Sequence, residues 1–313
     1  MATPPAPTTT LHRPVAAIVL RLMAVAALGA MFALVKLSAG RGVHIVESIF
    51  YRQALALPLV VIWIACGPGF ASLRTDRLGD HLSRMGIGLT AMTFNFLGMT
   101  MLPLAEATVI GFTVPLFATI FAAVMLKEAT GRYRWGAVLL GFIGILVVVR
   151  PDSAAMLAPG HATGSLVALA GAVGTAGVTI FIRRLGATEP ATTTVFWFTA
   201  SSLVPLGVLM LHFGRGHDGA TWGLLAAIGL SGGLAQMLLT LSLRYAPVAV
   251  VLPMDYTSLI WATLFGWLLF GALPVPETLV GAPIIIASGL IILLREHHLG
   301  KMAAARARAA QAG

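Results

Sequence analysis

Residues 107–128 read ATVIGFTVPLFATIFAAVMLKE, and residues 135–151 read WGAVLLGFIGILVVVRP. A similar pair returns as VVLPMDYTSLIWATLFGWLLFGA (250–272) and VGAPIIIASGLIILLRE (280–296). Each run approaches the roughly 20 residues that a helix needs to cross about 30 Å of hydrocarbon. Placing Glu128 on Ala272 sets the copies 144 residues apart, and placing Gly136 on Gly281 sets them 145 apart, so one residue is inserted in the loop. The correspondence reaches loop landmarks as well as leucines, which composition alone does not explain.

Working outward, charges cut the remaining chain into windows of similar length. Charge-free windows lie at 85–105, 107–126, 135–149, 162–182, 190–214, 219–243 and 278–294. Three more contain interior charge: 15–37 with Arg21 and Lys36, 43–66 with Glu47 and Arg52, and 245–276 with Asp255. That makes ten expected spans, five in each copy. Because five is odd, the second copy enters the membrane from the opposite side. Inverted five-helix repeats suit a transporter, since exchanging the conformations of the two copies turns an inward-open state into an outward-open one.

Composition supports this class. Of 313 residues, 58% are apolar and 10% are charged, against roughly 25% charged in an ordinary soluble domain. Mean hydropathy is +0.93. A soluble globule could not cover that much apolar surface with so few charges. A single cysteine, Cys66, excludes a disulfide framework. No Walker-type glycine loop and no HExxH spacing occurs, so neither direct ATP coupling nor a metal or other cofactor is expected.

The net charge of +9 is topological in this reading, and no nucleic-acid partner is expected. The connections on the side of both tails hold fourteen Lys and Arg, and the other side holds four: Lys36, Arg41, Arg150 and Arg215. The bias places both termini in the cytoplasm. Expected boundaries are a disordered tail at 1–14, one repeat at 15–150, a connection at 151–161, a second repeat at 162–295 and a basic tail at 296–313. The basic tail reads either as a solvated helical end or as a surface helix against anionic lipid.

Ten spans, basic loops on one side, IFYRQ at 49–53 and a proline thirteen residues before a helix-ending glutamate (Pro115 to Glu128) resemble the EamA-like family of the drug/metabolite transporter superfamily. The resemblance covers roughly residues 15–295. It implies a multi-pass metabolite carrier in a bacterial-type inner membrane, with a central cavity between two five-helix bundles. Ala272 stands where the family usually repeats its glutamate, which implies a helix-end or loop contact for Glu128. The stretch TVIGFTVPLF (108–117) is also similar to the superfamily's S-adenosylmethionine uptake carriers.

Intramembrane charge costs about 2.5–3.5 kcal/mol on insertion scales, so each case needs a partner or a wet cavity. Asp255 follows Arg244 by eleven residues, which puts it deep in the bilayer. It reads as a site for a cationic group or a proton, or as half of a structural pair with a buried arginine. Arg52, in IFYRQ, is the expected partner, and it reads equally as a receptor for a substrate carboxylate. Glu47 lies about 140° around the helix from Arg52 and is expected at the interface. Arg21 and Lys36 sit near the ends of their helix and are expected to snorkel.

Asn95 and Gln236 at mid-span read as helix glue or as cavity lining. Phe94, Phe96, Trp197, Tyr256 and Trp261 read as packing or lipid-facing residues, or as flat walls for an organic substrate. Pro115 and Pro253 are candidate kinks. The stripe Gly164, Ala168, Ala172 and Ala176, and the pair Gly229 and Gly233, allow helices to approach closely, within a bundle or in a homodimer. The leading function is a secondary carrier for a small organic metabolite, coupled to a proton or cation or working by exchange. An integral-membrane enzyme would instead cluster its polar residues near one interface.

Overall fold

The computed structural model describes residues 13–125, 131–149, 160–186 and 188–312. Most of the expected tail at 1–14, the Glu128 contact and most of the connection at 151–161 lie outside the described residues. Among the described residues every element is helical. The chain runs through α1 (Pro14–Gly40), α2 (Ile45–Cys66), α3 (Leu78–Met101), α4 (Leu104–Gly111), α5 (Val114–Met125) and α6 (Arg132–Val149). It continues through α7 (His161–Gly186), α8 (Ala191–Phe213), α9 (Gly219–Tyr245), α10 (Val248–Val251), α11 (Ser258–Phe270) and α12 (Pro276–Ala312).

Among the described residues nine segments are long and apolar enough to cross a membrane, with α4–α5 counting as one and α10–α11 as another. The tenth segment is α3, 24 residues long, whose first two turns carry Asp80, His81 and Arg84. Here the structure corrects a sequence boundary. Arg84 was expected in a connection and instead lies inside α3, buried. Glu106 likewise falls in the first turn of α4, where a carboxylate complements the helix dipole.

Helices dominate because lipid offers no hydrogen-bond partner to an exposed backbone. Pro14 opens α1, where its missing N–H costs nothing. His44 and Glu47 form a capping box on α2. At the end of α11, Gly271 takes φ 63°, the left-handed conformation that closes a helix.

The helices pair as two exchanged copies. The tightest packing joins α1 to α9 and α3 to α7, and these contacts are equivalent when the first five spans are swapped for the last five. The α2–α8 and α6–α12 contacts map onto themselves. Glycine permits the closest approaches. A Cβ added at Gly98 would lie 2.9 Å from that of Ala168, and one at Gly229 would lie 2.5 Å from that of Leu55. The glycine–alanine stripe of α7 therefore faces α3, and Gly229 and Gly233 face α2. Both close the bundle from within.

Both broken spans face each other near the centre. Between α4 and α5 the helix stops at Phe112 and Thr113, just ahead of Pro115. In the ninth span a 3-10 stretch at Leu252–Thr257, with Pro253 second, separates α10 from α11. The proline supplies no N–H to an α-helical ladder, and the tighter turn takes up the break.

Candidate substrate site

Where α1, α3, α4, α7, α9 and the ninth span meet, a cavity of about 340 Å³ opens. That is within the size of small-molecule sites, roughly 300–1,000 Å³. Its walls are mostly apolar, with Phe32, Met99 and Phe112 among them, and its polar groups are few: Arg21, Asn95, Thr108, Thr175, Asp255 and Ser258.

Asp255 is held by Arg21. The guanidinium donates from Nε to Oδ1 at 2.6 Å and from Nη2 to Oδ2 at 2.5 Å. Both side chains reach the cavity wall, and the carboxylate, 38% exposed, is the more open of the two, the arginine being 8% exposed. This two-pronged geometry suits guanidinium and carboxylate. Arg21 therefore does not snorkel to the membrane surface. The sequence also paired Asp255 with the wrong arginine: Arg52 points to Gln53 on its own helix, and Gln53 donates to Ser202 Oγ at 2.7 Å. A residue one third of the way along a helix can turn outward or inward, and only its neighbours decide which.

Asn95 stands on the cavity wall and donates to Thr175 Oγ1 at 3.0 Å, joining α3 to α7. Tyr256 sits edge-on to Phe112, with ring centroids 5.0 Å apart. Trp261 stacks on Phe265, and its Cβ would lie 2.8 Å from one added at Gly29. Phe94 faces a separate shallow groove between α3 and α7. Gln236 is half-buried on α9, one turn before Leu239 of the cavity wall. Trp197 lies far from Asp255, donating from Nε1 to the Leu73 carbonyl at 3.0 Å. Lys36, another residue expected to snorkel, caps α3 instead, donating to the Leu102 carbonyl at 2.5 Å and to those of Met99 and Thr100 at 3.3 Å.

Buried histidine–carboxylate contacts tie loops to helices at both ends of the bundle. His217, just ahead of α9, lies 2.7 Å from Glu47 at the start of α2. At the other end His81, in the first turn of α3, lies 2.6 Å from Glu189, just ahead of α8. A third contact joins His161 of α7 to Glu106 of α4 at 3.0 Å. Glu47 thus sits at the helix end expected of it, yet fully buried. Sequence reading gave the histidines no role, because their partners are 108 and 170 residues away. Among the described residues no cluster of three metal-ligating side chains occurs.

Comparison with known proteins gives concordant results. The chain is 26% identical over 87% of its length to the pseudopaline exporter of Pseudomonas aeruginosa, covering 93% of that protein. It is 28% identical to the riboflavin transporter of Vibrio cholerae, over 76% of this chain and 78% of that one. With the S-adenosylmethionine uptake transporter of Rickettsia prowazekii it shares 26% identity, over 82% and 85% respectively. A solved crystal structure matches the fold with a TM-score of 0.62 at 19% identity, covering 90% of this chain and 98% of that one. The model of the EamA-like transporter family matches twice, at residues 15–150 and 162–294. With both copies matched across nearly all of its length, this chain belongs to the EamA-like transporter family.

Proposed function

We propose that the protein is a secondary carrier that moves a small organic metabolite across a bacterial inner membrane by alternating access, with both termini in the cytoplasm. The observation that carries this reading is the Arg21–Asp255 pair on the wall of the cavity, between two interrupted spans. A membrane protein that needed only structural neutrality would bury both partners. Here the carboxylate is left partly open to a chamber of ligand size. A cationic group of the cargo, or a proton, can compete with Arg21 for Asp255, and either event frees α1 from the ninth span. Discontinuous helices at the repeat interface are where carriers place their binding sites. The wall groups Asn95 and Thr175 would orient the cargo, and Phe32 and Phe112 would cover its apolar body.

The same competition supplies coupling. Protonating Asp255 removes the charge that holds Arg21, so a proton and a cationic cargo would exchange at one carboxylate. A second reading, uptake of an S-adenosylmethionine-like molecule, is favoured by the similarity to the Rickettsia carrier and by an acid that suits a sulfonium or ammonium group. Reconstituted protein in liposomes tests both. Flux of labelled riboflavin and S-adenosylmethionine is measured with and without an imposed pH gradient, alongside extracts from cells with and without the protein. Asp255→Asn is expected to abolish or decouple the flux that the wild type supports. Unchanged flux with unchanged pH dependence in that variant rejects Asp255 as the coupling site.

A further inference from the structure

A second charged centre lies away from the cavity, among α2, α3, α8 and α9, and it is built in the opposite way. Arg52 of α2 and Arg84 of α3 are 7% and 8% exposed. Arg52 spends one nitrogen, Nη1, on the Gln53 side chain, which Ser202 anchors in turn. Arg84 lies over the Phe198 ring, with its guanidinium carbon 4.5 Å from the centroid. Three buried N–H groups, Arg52 Nε, Arg84 Nε and Arg84 Nη1, find no acceptor. Among the described residues neither arginine has a carboxylate within 4.0 Å. Phe198, which lies against Arg84, and Ser202, which anchors the Gln53 that holds Arg52, are one turn apart on α8, so that helix brings the two positive charges to one face.

Gly232 closes the α9 side of the centre, since a Cβ there would lie 3.1 Å from Arg52 Cγ and 3.3 Å from Nε. The missing side chain at Gly232 lets α9 approach the stem of Arg52 closely. The Phe198 ring covers one face of Arg84 and leaves the edge N–H groups free for an acceptor in the guanidinium plane.

Uncompensated charge of this kind is costly in protein or lipid, and two like charges compound the cost. A protein retains such a pair where something negative arrives. The planar fork of a guanidinium fits two oxygens of one group, which selects an oxyanion over a spherical halide. We propose that Arg52 and Arg84 form an anion site inside the bundle that takes a single carboxylate or phosphate group. Gln53 and Ser202 position Arg52, and Phe198 positions Arg84. The site is separate from the Arg21–Asp255 cavity and stands whether or not that cavity carries the cargo. Its occupant is either the anionic end of a carried molecule or a free small anion.

Thermal unfolding of the detergent-purified full chain tests it, by titrating acetate, inorganic phosphate and chloride into a low-salt buffer. Acetate or phosphate is expected to raise Tm in a saturable way, and chloride is not. Arg52→Gln and Arg84→Gln should each abolish that rise, and Arg84→Gln should raise Tm in anion-free buffer because it relieves the repulsion. Arg84→Lys, which keeps the charge and loses the fork, should saturate only at higher anion concentration. No saturable rise in the wild type, an equal rise with chloride, or a rise that persists in both Gln variants overturns the site. The wild-type titration decides the matter even if a variant fails to fold. Labelled acetate or phosphate in proteoliposomes then separates the two sources. Protein-dependent uptake of the label identifies a free anion that travels, and binding without uptake identifies the anionic end of a larger molecule.

Discussion

Two arginine centres share one helical bundle and follow opposite electrostatic designs. At Arg21–Asp255 a guanidinium is neutralised by two hydrogen bonds, and the acid is the more open half on a cavity wall. At Arg52–Arg84 two guanidiniums lie deeper than that acid, with three donors unused. The first centre has its counter-charge built in and can exchange it. The second has none and must acquire one. Burial alone therefore says little about the role of an intramembrane arginine. What matters is whether the neutralising group belongs to the chain.

The comparison can be broken most severely at the paired centre. Asp255→Asn strands a buried guanidinium and is expected to cost roughly 3 kcal/mol of stability, while Arg21→Gln strands a half-wet carboxylate and costs less. The double variant should recover most of the loss, as a chemical unfolding series on the three proteins would show. A loss in the double variant equal to the sum of the two single losses would mean that the pair contributes nothing beyond its separate side chains.

Moving α3 touches both centres, because that helix carries Arg84 near one end and Asn95 further along. Gly98→Leu forces a side chain into the Ala168 contact, and overpacking of this kind costs typically about 1–3 kcal/mol. Loss of the Asn95–Thr175 bond should accompany it, giving lower thermal stability and impaired flux together.

The unpaired centre should respond with the opposite sign. In anion-free buffer Arg84→Gln removes one of two repelling charges and is expected to stabilise the fold by about 1 kcal/mol. An Arg→Gln change that destabilises at position 21 and stabilises at position 84 would be the sharpest expression of the contrast. Destabilisation at both positions would reduce the second centre to a packing element.

The smallest effect concerns an acid at the bundle surface. Asp218 caps α9 by accepting from the Thr221 backbone N–H at 3.2 Å. Hydrogen bonds from Thr221, the side chain first and then the backbone, hold its carboxyl below the ordinary 3.8. A depressed value means that its contribution is complete above the unfolded value and is lost as pH falls through the lower folded one. Asp218→Ala should therefore narrow the stability gap to wild type only in strong acid, which a Tm series across pH would record.

Much of this design was legible in the chain. The echo of 107–128 in 250–272 located both interrupted spans, since proline and glycine mark a break wherever the helix sits. Asp255 stood out because an acid in an apolar window needs a reason. Its partner was not legible: Arg21 and Arg52 are both arginines inside apolar windows, and helical spacing fixes depth while leaving the direction each side chain faces open to packing. Arg84 was hidden by treating charge as a boundary. A helix that starts with Asp80 and continues through Arg84 satisfies its own backbone, so a charge does not end it.

Order along the chain, membrane class and the two-copy architecture were determined by the sequence by itself, because hydrocarbon thickness and backbone hydrogen bonding act on each segment locally. The identity of each charge's partner, the cavity between the interrupted spans and the isolation of Arg52 and Arg84 were decided only by the tertiary structure. These depend on the rotation and approach of helices far apart in sequence, which close packing at residues such as Gly98 and Gly229 sets and no local pattern encodes.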